Sequence, residues 1–182
     1  MNWRNSTERY GALSIGLHWL MLLLFVALYG CAELNDLFPK GSYLREAIKT
    51  WHYLLGLCIF FLAWFRLALN SAGATPRIVP EPPRWQHRLA RLVHAALYVL
   101  MLVTPVIGWM ILSAKGKPIM LFSLQLPALI GESKGLAEFF KEIHEFAGNV
   151  GYFLIAVHSA AALYHHYAMR DNTLRRMLPS RK

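Results

Sequence analysis

Residues 143–168 read IHEFAGNVGYFLIAVHSAAALYHHYA. The run exceeds the roughly 20 apolar residues that a helix needs to cross a bilayer core, yet it carries His144, His158, His165 and His166. His144 and His158 stand 14 residues apart in the chain, so on a helix rising about 1.5 Å per residue they differ in depth by about 21 Å. Steps of about 100° per residue also return the second side chain to within about 40° of the first. One helix face therefore presents two imidazoles at two levels.

Three further apolar runs lie upstream, at residues 11–31, 51–70 and 91–113. With no water in the hydrocarbon to satisfy backbone polar groups, such runs must be helical. The expected fold is all-α, a four-helix transmembrane bundle forming one domain over residues 1–182, with a kink at Pro105 in the third span. The first run is too long for a signal-peptide core, and no A-x-A site follows it. Leu28-Tyr29-Gly30-Cys31 is a poor lipoprotein box, because Tyr29 precedes the small residue and His18 interrupts the apolar core.

Composition agrees. Of 182 residues, 56 % are hydrophobic and 16 % charged, and mean hydropathy is +0.35, well on the membrane side of a typical soluble domain. The net charge of +9 lies between apolar runs, so it reads as a topology signal and excludes a nucleic-acid module. Cys31 and Cys58 make neither a disulfide framework nor a C-x-x-C pair, which excludes a zinc knuckle and covalently attached haem.

The cations divide by side. Arg4, Arg9, Arg66, Arg77, Arg84, Arg88, Arg91, Arg170, Arg175, Arg176, Arg181 and Lys182 share one side with only Glu8, Glu81 and Asp171. On the other, Lys40, Arg45, Lys49, Lys115, Lys117, Lys134 and Lys141 are balanced by Glu33, Asp36, Glu46, Glu132, Glu138, Glu142 and Glu145. The Lys and Arg excess marks the cytoplasmic side, which puts both termini inside. The proline-rich segment 75–83 is then an extended cytoplasmic connector, and the apolar stretch 119–130 dips into the outer interface or caps the bundle.

Five histidines, His18, His52, His94, His144 and His158, lie within or at the ends of the spans, where ionisable residues are costly and usually functional. Two levels of paired imidazoles suit two stacked haems, each six-coordinate and closed to exogenous ligands. On the outer side only His52 and His144 are available, and each precedes a glycine at i+4, Gly56 and Gly148, which leaves room for a porphyrin against the backbone or permits close helix packing. The inner haem takes His158 with His18 or His94. His18 matches the depth of His158 better and is the assigned partner, leaving His94 for a propionate, a quinone or a neighbouring helix. Arg66 snorkels or neutralises a propionate. His165 continues the His158 face toward the aqueous boundary, where it either meets a quinone headgroup or snorkels with His166 as an interfacial pair.

These pieces resemble the bacterial cytochrome b561 family of small dihaem, quinone-linked membrane cytochromes. The resemblance covers essentially the whole chain and rests on Ile15-Gly16-Leu17-His18-Trp19-Leu20, the His52 to Gly56 step, the prolines from Pro76 to Pro82, and the tail from His158 through His165-His166-Tyr167 to Asp171-Asn172-Thr173-Leu174. It implies two haem b groups held by His18 and His158 (inner) and by His52 and His144 (outer), in a multi-pass protein of the bacterial inner membrane. Similarity to superoxide-oxidising members implies superoxide as donor at the outer haem and ubiquinone as acceptor near the inner one. On that reading Arg45, Lys49, Lys115 and Lys117 steer superoxide, and His165 and Asn172 form the quinone site. The competing readings are a haem-bearing anchor subunit relaying electrons from a soluble dehydrogenase, and a transporter using histidines for metal or protons.

Overall fold

The computed structural model describes residues 3–179, so Arg181 and Lys182, counted above in the cytoplasmic charge, lie outside the described residues. The chain forms α1 (Ala12–Asn35), α2 (Tyr43–Ala72), α3 (Arg84–Ala114), β1 (Ile119–Leu121), β2 (Leu124–Leu126) and α4 (Lys134–Tyr164). A π-helical turn (His165–Met169) extends α4, and a single 3-10 turn (Arg175–Met177) follows. All four long helices are apolar enough to cross a membrane.

Each helix overruns its apolar run because lipid limits the span and local chemistry limits the helix. Ser42 and Ser133 accept hydrogen bonds from the backbone N–H groups of Arg45 and Leu136, capping α2 and α4 well outside the spans. The Lys141–Glu145 pair, 2.9 Å, supports the added first turns of α4 in water. Helix α3 stays continuous through Pro105. The apolar stretch expected to dip into the interface or cap the bundle contains an antiparallel hairpin, β1 against β2 with Ile119 opposite Leu126. Ile119 is buried with Leu57 and Leu112, so the hairpin packs against the middle of α2 and the C-terminal end of α3.

The interior is small and the exterior greasy. Leu17, Met21, Ile59, Ala63 and Met101 form the buried centre, while Leu23 and Phe153 are 66 % and 68 % exposed. In water such a surface would be a liability, and against acyl chains it is the expected one. Helices pack instead by close approach: a Cβ on Gly151 would meet the Tyr29 hydroxyl at 2.1 Å. Helix α1 packs on α2, and α3 on α4. Two tyrosines tie α1 to α4: Tyr29 donates to the Gly148 carbonyl (3.0 Å), and Tyr152 donates to Glu33 (2.6 Å).

At one end the connector is extended as expected but is not free. Asn172 and Val79 exchange hydrogen bonds, with the Asn172 N–H donating to the Val79 carbonyl (3.1 Å) and the Val79 N–H to Asn172 Oδ1 (2.9 Å). Arg77 N–H donates to the Thr7 carbonyl, Arg176 donates to the Pro76 carbonyl, and Trp19 Nε1 donates to the Met177 carbonyl. The N-terminal segment, connector and tail therefore share the cation-rich end. A reporter fused at the C-terminus is expected to behave as cytoplasmic, and one inserted at Asn35 or Ser133 as external. A periplasmic C-terminal reporter would invert the assignment of both ends.

Candidate functional site: two crossed histidine pairs

His52 on α2 and His144 on α4 face each other across the bundle, ring centroids 6.1 Å apart and planes inclined by 69°. Each ring is held from behind: His52 Nδ1 lies 3.3 Å from the Leu28 carbonyl, and His144 Nδ1 lies 3.1 Å from the Thr104 carbonyl. A carbonyl only accepts, so both rings carry their proton on Nδ1 and keep the Nε2 lone pair for a metal. Two metal–nitrogen bonds of about 2 Å, plus about 1.1 Å from each nitrogen to its ring centre, put opposed imidazoles about 6.2 Å apart. The observed separation fits an iron between them.

Room for a macrocycle is present around this pair. A cavity of about 590 Å³ opens on the α1 and α4 side, lined by Leu28, Tyr29, His52, Gly56, His144 and Gly148 among others. A smaller one of about 160 Å³ lies toward Trp109 and Ile119, sharing His52, Gly56, Pro105 and His144. The larger volume is in the ordinary range for cofactor pockets. A Cβ on Gly148 would meet nothing within 4 Å, and one on Gly56 only Leu28 Cδ1 at 3.9 Å. These glycines border open space and are not points of close helix packing.

The second level gathers three rings. His18 on α1 lies 6.2 Å from His158 on α4 at 73°, and His94 on α3 lies 5.3 Å from the same ring at 64°. The first spacing again fits an intervening iron and the second is about 1 Å too short. His18 Nδ1 is buried with no hydrogen-bond partner. Arg66 is close enough to act electrostatically on all three imidazoles and lies 4.0 Å from Met21 Sδ, a cation that would neutralise a propionate brought near it. Among the described residues no three His, Cys, Asp or Glu side chains converge on a common metal position. Two imidazoles per level therefore suit a metal whose equatorial ligands come from a macrocycle.

The residues assigned to steering and to the quinone are arranged less simply. Arg45 pairs with Asp36 at 2.7 Å and donates to the Phe38 carbonyl, and Lys49 pairs with Glu46 at 2.6 Å. Lys49 also lines the large cavity, in company with Glu33, Asp36 and Glu145. Lys115 and Lys117 are exposed beside the hairpin and carry no ion pair among the described residues. Asn172 has its amide engaged with Val79 and Arg77 and so holds the connector. His165 is half-buried and bonded to Asp171. The sequence reading missed Asp171 as a partner, the Tyr29, Tyr152 and Glu33 link, and the two carbonyls behind His52 and His144.

The chain is similar to known proteins over nearly its full length. A family model described as prokaryotic cytochrome b561 matches residues 9–180. Cytochrome b561 homolog 1 of Escherichia coli (strain K12) is 38 % identical over 175 residues, 96 % of this chain and 99 % of that protein. A Yersinia pestis protein named probable superoxide oxidase CybB is 36 % identical over 96 % of this chain and 98 % of its own. Cytochrome b561 homolog 2 of Escherichia coli (strain K12) is 28 % identical over 98 % of this chain and 95 % of its own.

Proposed function

The chain belongs to the prokaryotic cytochrome b561 family, and on that premise we propose that it takes single electrons from superoxide at the His52 and His144 end and passes them to ubiquinone beside His165. Family membership makes it a haem-binding, electron-transferring protein of the bacterial membrane with several spans. The observation that carries the finer reading is the pair of His–His spacings, 6.1 and 6.2 Å, on two levels of one bundle. Haem b held by His52 with His144, and by His18 with His158, would supply a one-electron iron couple at each level. The chain's own residues do the rest: the Leu28 and Thr104 carbonyls orient the His52 and His144 rings, the hairpin packs over Leu57 and Leu112, and Arg66 offers a part-buried cation near His18, His94 and His158.

Superoxide loses one electron and leaves as dioxygen. The similarity to the Yersinia pestis protein supports this donor, and the outer surface refines how it is approached. Because Arg45 and Lys49 are already paired with acids, steering falls on Lys115 and Lys117. In proteoliposomes, stopped-flow haem reduction by superoxide is expected to be fast and salt-sensitive, with reoxidation that requires ubiquinone. Replacing Lys115 and Lys117 together by Gln is expected to slow reduction by up to about 10-fold at low salt, and replacing Arg45 and Lys49 by less. Slow reduction indifferent to both salt and these lysines would remove superoxide as the donor while leaving the quinone-linked cytochrome in place.

A further inference from the structure

One buried carboxylate has no part in this reading: Asp171, 3 % exposed, where α4 finishes. The end of α4 is unusual. Its last turn widens into the π-helical turn His165–Met169, and Arg170 then adopts a left-handed φ of 55°, against the preference of a non-glycine residue. The Arg170 and Asp171 N–H groups both return to the His165 carbonyl, the second at 3.1 Å. This folds the Asp171 side chain back alongside the imidazole seven residues past His158. His165 Nδ1 donates to Asp171 Oδ2 at 2.5 Å, and Thr173 N–H donates to Oδ1 at 2.8 Å.

Burial by itself would raise the Asp171 carboxyl, but the hydrogen bonds from His165 and Thr173 hold it below its usual range. An ionised carboxylate only accepts, so the proton between the two groups belongs to Nδ1 and the Nε2 edge of the ring is left for something else. Asn172 and Arg176, both just past this turn, are engaged with the connector, so the chain leaving the turn is anchored. The other charged or titratable groups at the pair are Arg176, which feels the Asp171 charge and lies 5.8 Å from the Tyr10 ring, and Tyr164, whose ring is 6.1 Å from His165.

We infer that Asp171 is a positioning residue for proton delivery, holding His165 with Nδ1–H on the carboxylate so that Nε2–H hands protons to a ubiquinone carbonyl oxygen. The inference rests on ubiquinone being the acceptor at His165. Ubiquinone becomes ubiquinol by taking two electrons, delivered one at a time from two superoxide anions, and two protons. Each proton passes from Nε2 to a quinone oxygen and is replaced from cytoplasmic water, while Asp171 stays ionised and stabilises the imidazolium formed at each recharging.

The test compares Asp171→Asn and His165→Gln in the haem-loaded protein. Asn keeps the shape and the Thr173 contact but not the charge. Asp171→Asn is expected to keep wild-type haem content and superoxide-driven haem reduction, and to slow ubiquinone-dependent reoxidation by about 10- to 100-fold through kcat, with KM for ubiquinone little changed. Asp36 and Asp171 are the only aspartates in the chain. With 13C-carboxyl aspartate incorporated, infrared difference spectra of ubiquinone reduction should show a carboxylate shift that survives in Asp36→Asn, a readout the wild type supplies even if Asp171→Asn does not fold. Normal reoxidation in Asp171→Asn, or no labelled band shift in the wild type, overturns the inference. If His165→Gln is slowed while Asp171→Asn is not, the dyad fails and the quinone site stands. If both reoxidise normally, the quinone site at His165 fails with it.

Discussion

His144→Ala is expected to leave a folded, membrane-inserted chain with half the wild-type haem content, and His52→Ala the same half. Each substitution removes one imidazole from a pair whose centroids are 6.1 Å apart and enlarges the cavity beside Gly148 or Gly56, where the backbone already borders empty space. Losing an outer-shell partner of a metal ligand typically costs about 10- to 100-fold in metal affinity, and losing the ligand itself should cost more. The fold should survive, because the packed centre of Leu17, Met21, Ile59, Ala63 and Met101 includes neither histidine. The measurement is the haem-to-protein ratio of purified variants, with helix content checked by circular dichroism. Full haem retention by both variants would remove this pair as a ligand set. Loss of all haem from a chain that remains helical would mean that the two levels are not independent. In the remaining half, a wild-type potential would show that the inner level is intact.

The number and type of the elements were legible because lipid imposes a length on any apolar run that crosses it. Their ends were not. Helix α4 starts at Lys134, nine residues ahead of its apolar run, since Ser133 caps it and Lys141 pairs with Glu145 in water, where hydropathy has no say. The hairpin was seen only as an apolar stretch that caps or dips, because residues 121–124 carry no Asn-Gly or Asp-Gly signal and place Phe122 at a positive φ of 55°.

The site divides in the same way. That His144 and His158 share a face follows from helical period alone, and depth is what proposes His52 and His18 as their partners, with His94 as the competitor for the second. Main-chain partners do not: which carbonyl stands behind His144 depends on how α3 and α4 cross, and nothing in Thr104 as a residue type announces it. The charges of Arg45 and Lys49 were legible but their neutralisation was not, because Asp36 and Glu46 reach them through a loop and a helix turn whose geometry the sequence leaves open. Asp171 was visible as part of a distinctive tail. Its return to His165 depends on a π-helical turn and a left-handed Arg170, neither of which a residue pattern predicts.

The inner level is where two imidazoles compete for one partner, and there His18→Ala is expected to lose haem while His94→Ala keeps both groups. Three observations separate them. The His18–His158 spacing of 6.2 Å matches the outer pair to within 0.1 Å, whereas His94 at 5.3 Å from His158 leaves too little room for two metal–nitrogen bonds of about 2 Å each. Helices α3 and α4 pack directly on each other, so a macrocycle between His94 and His158 would have to part them, while α1 and α4 meet mainly through the Tyr29 and Tyr152 links. His18 also has a buried Nδ1 without a partner, an orphan that a propionate or an ordered water would satisfy once the ring is committed to iron. His158→Ala, which removes the shared ring, should lose the inner haem whichever partner is correct and so calibrates the comparison. If His94→Ala instead releases the inner haem and His18→Ala retains it, α3 must move away from α4 by about 1 Å when haem binds, and the pairing is exchanged.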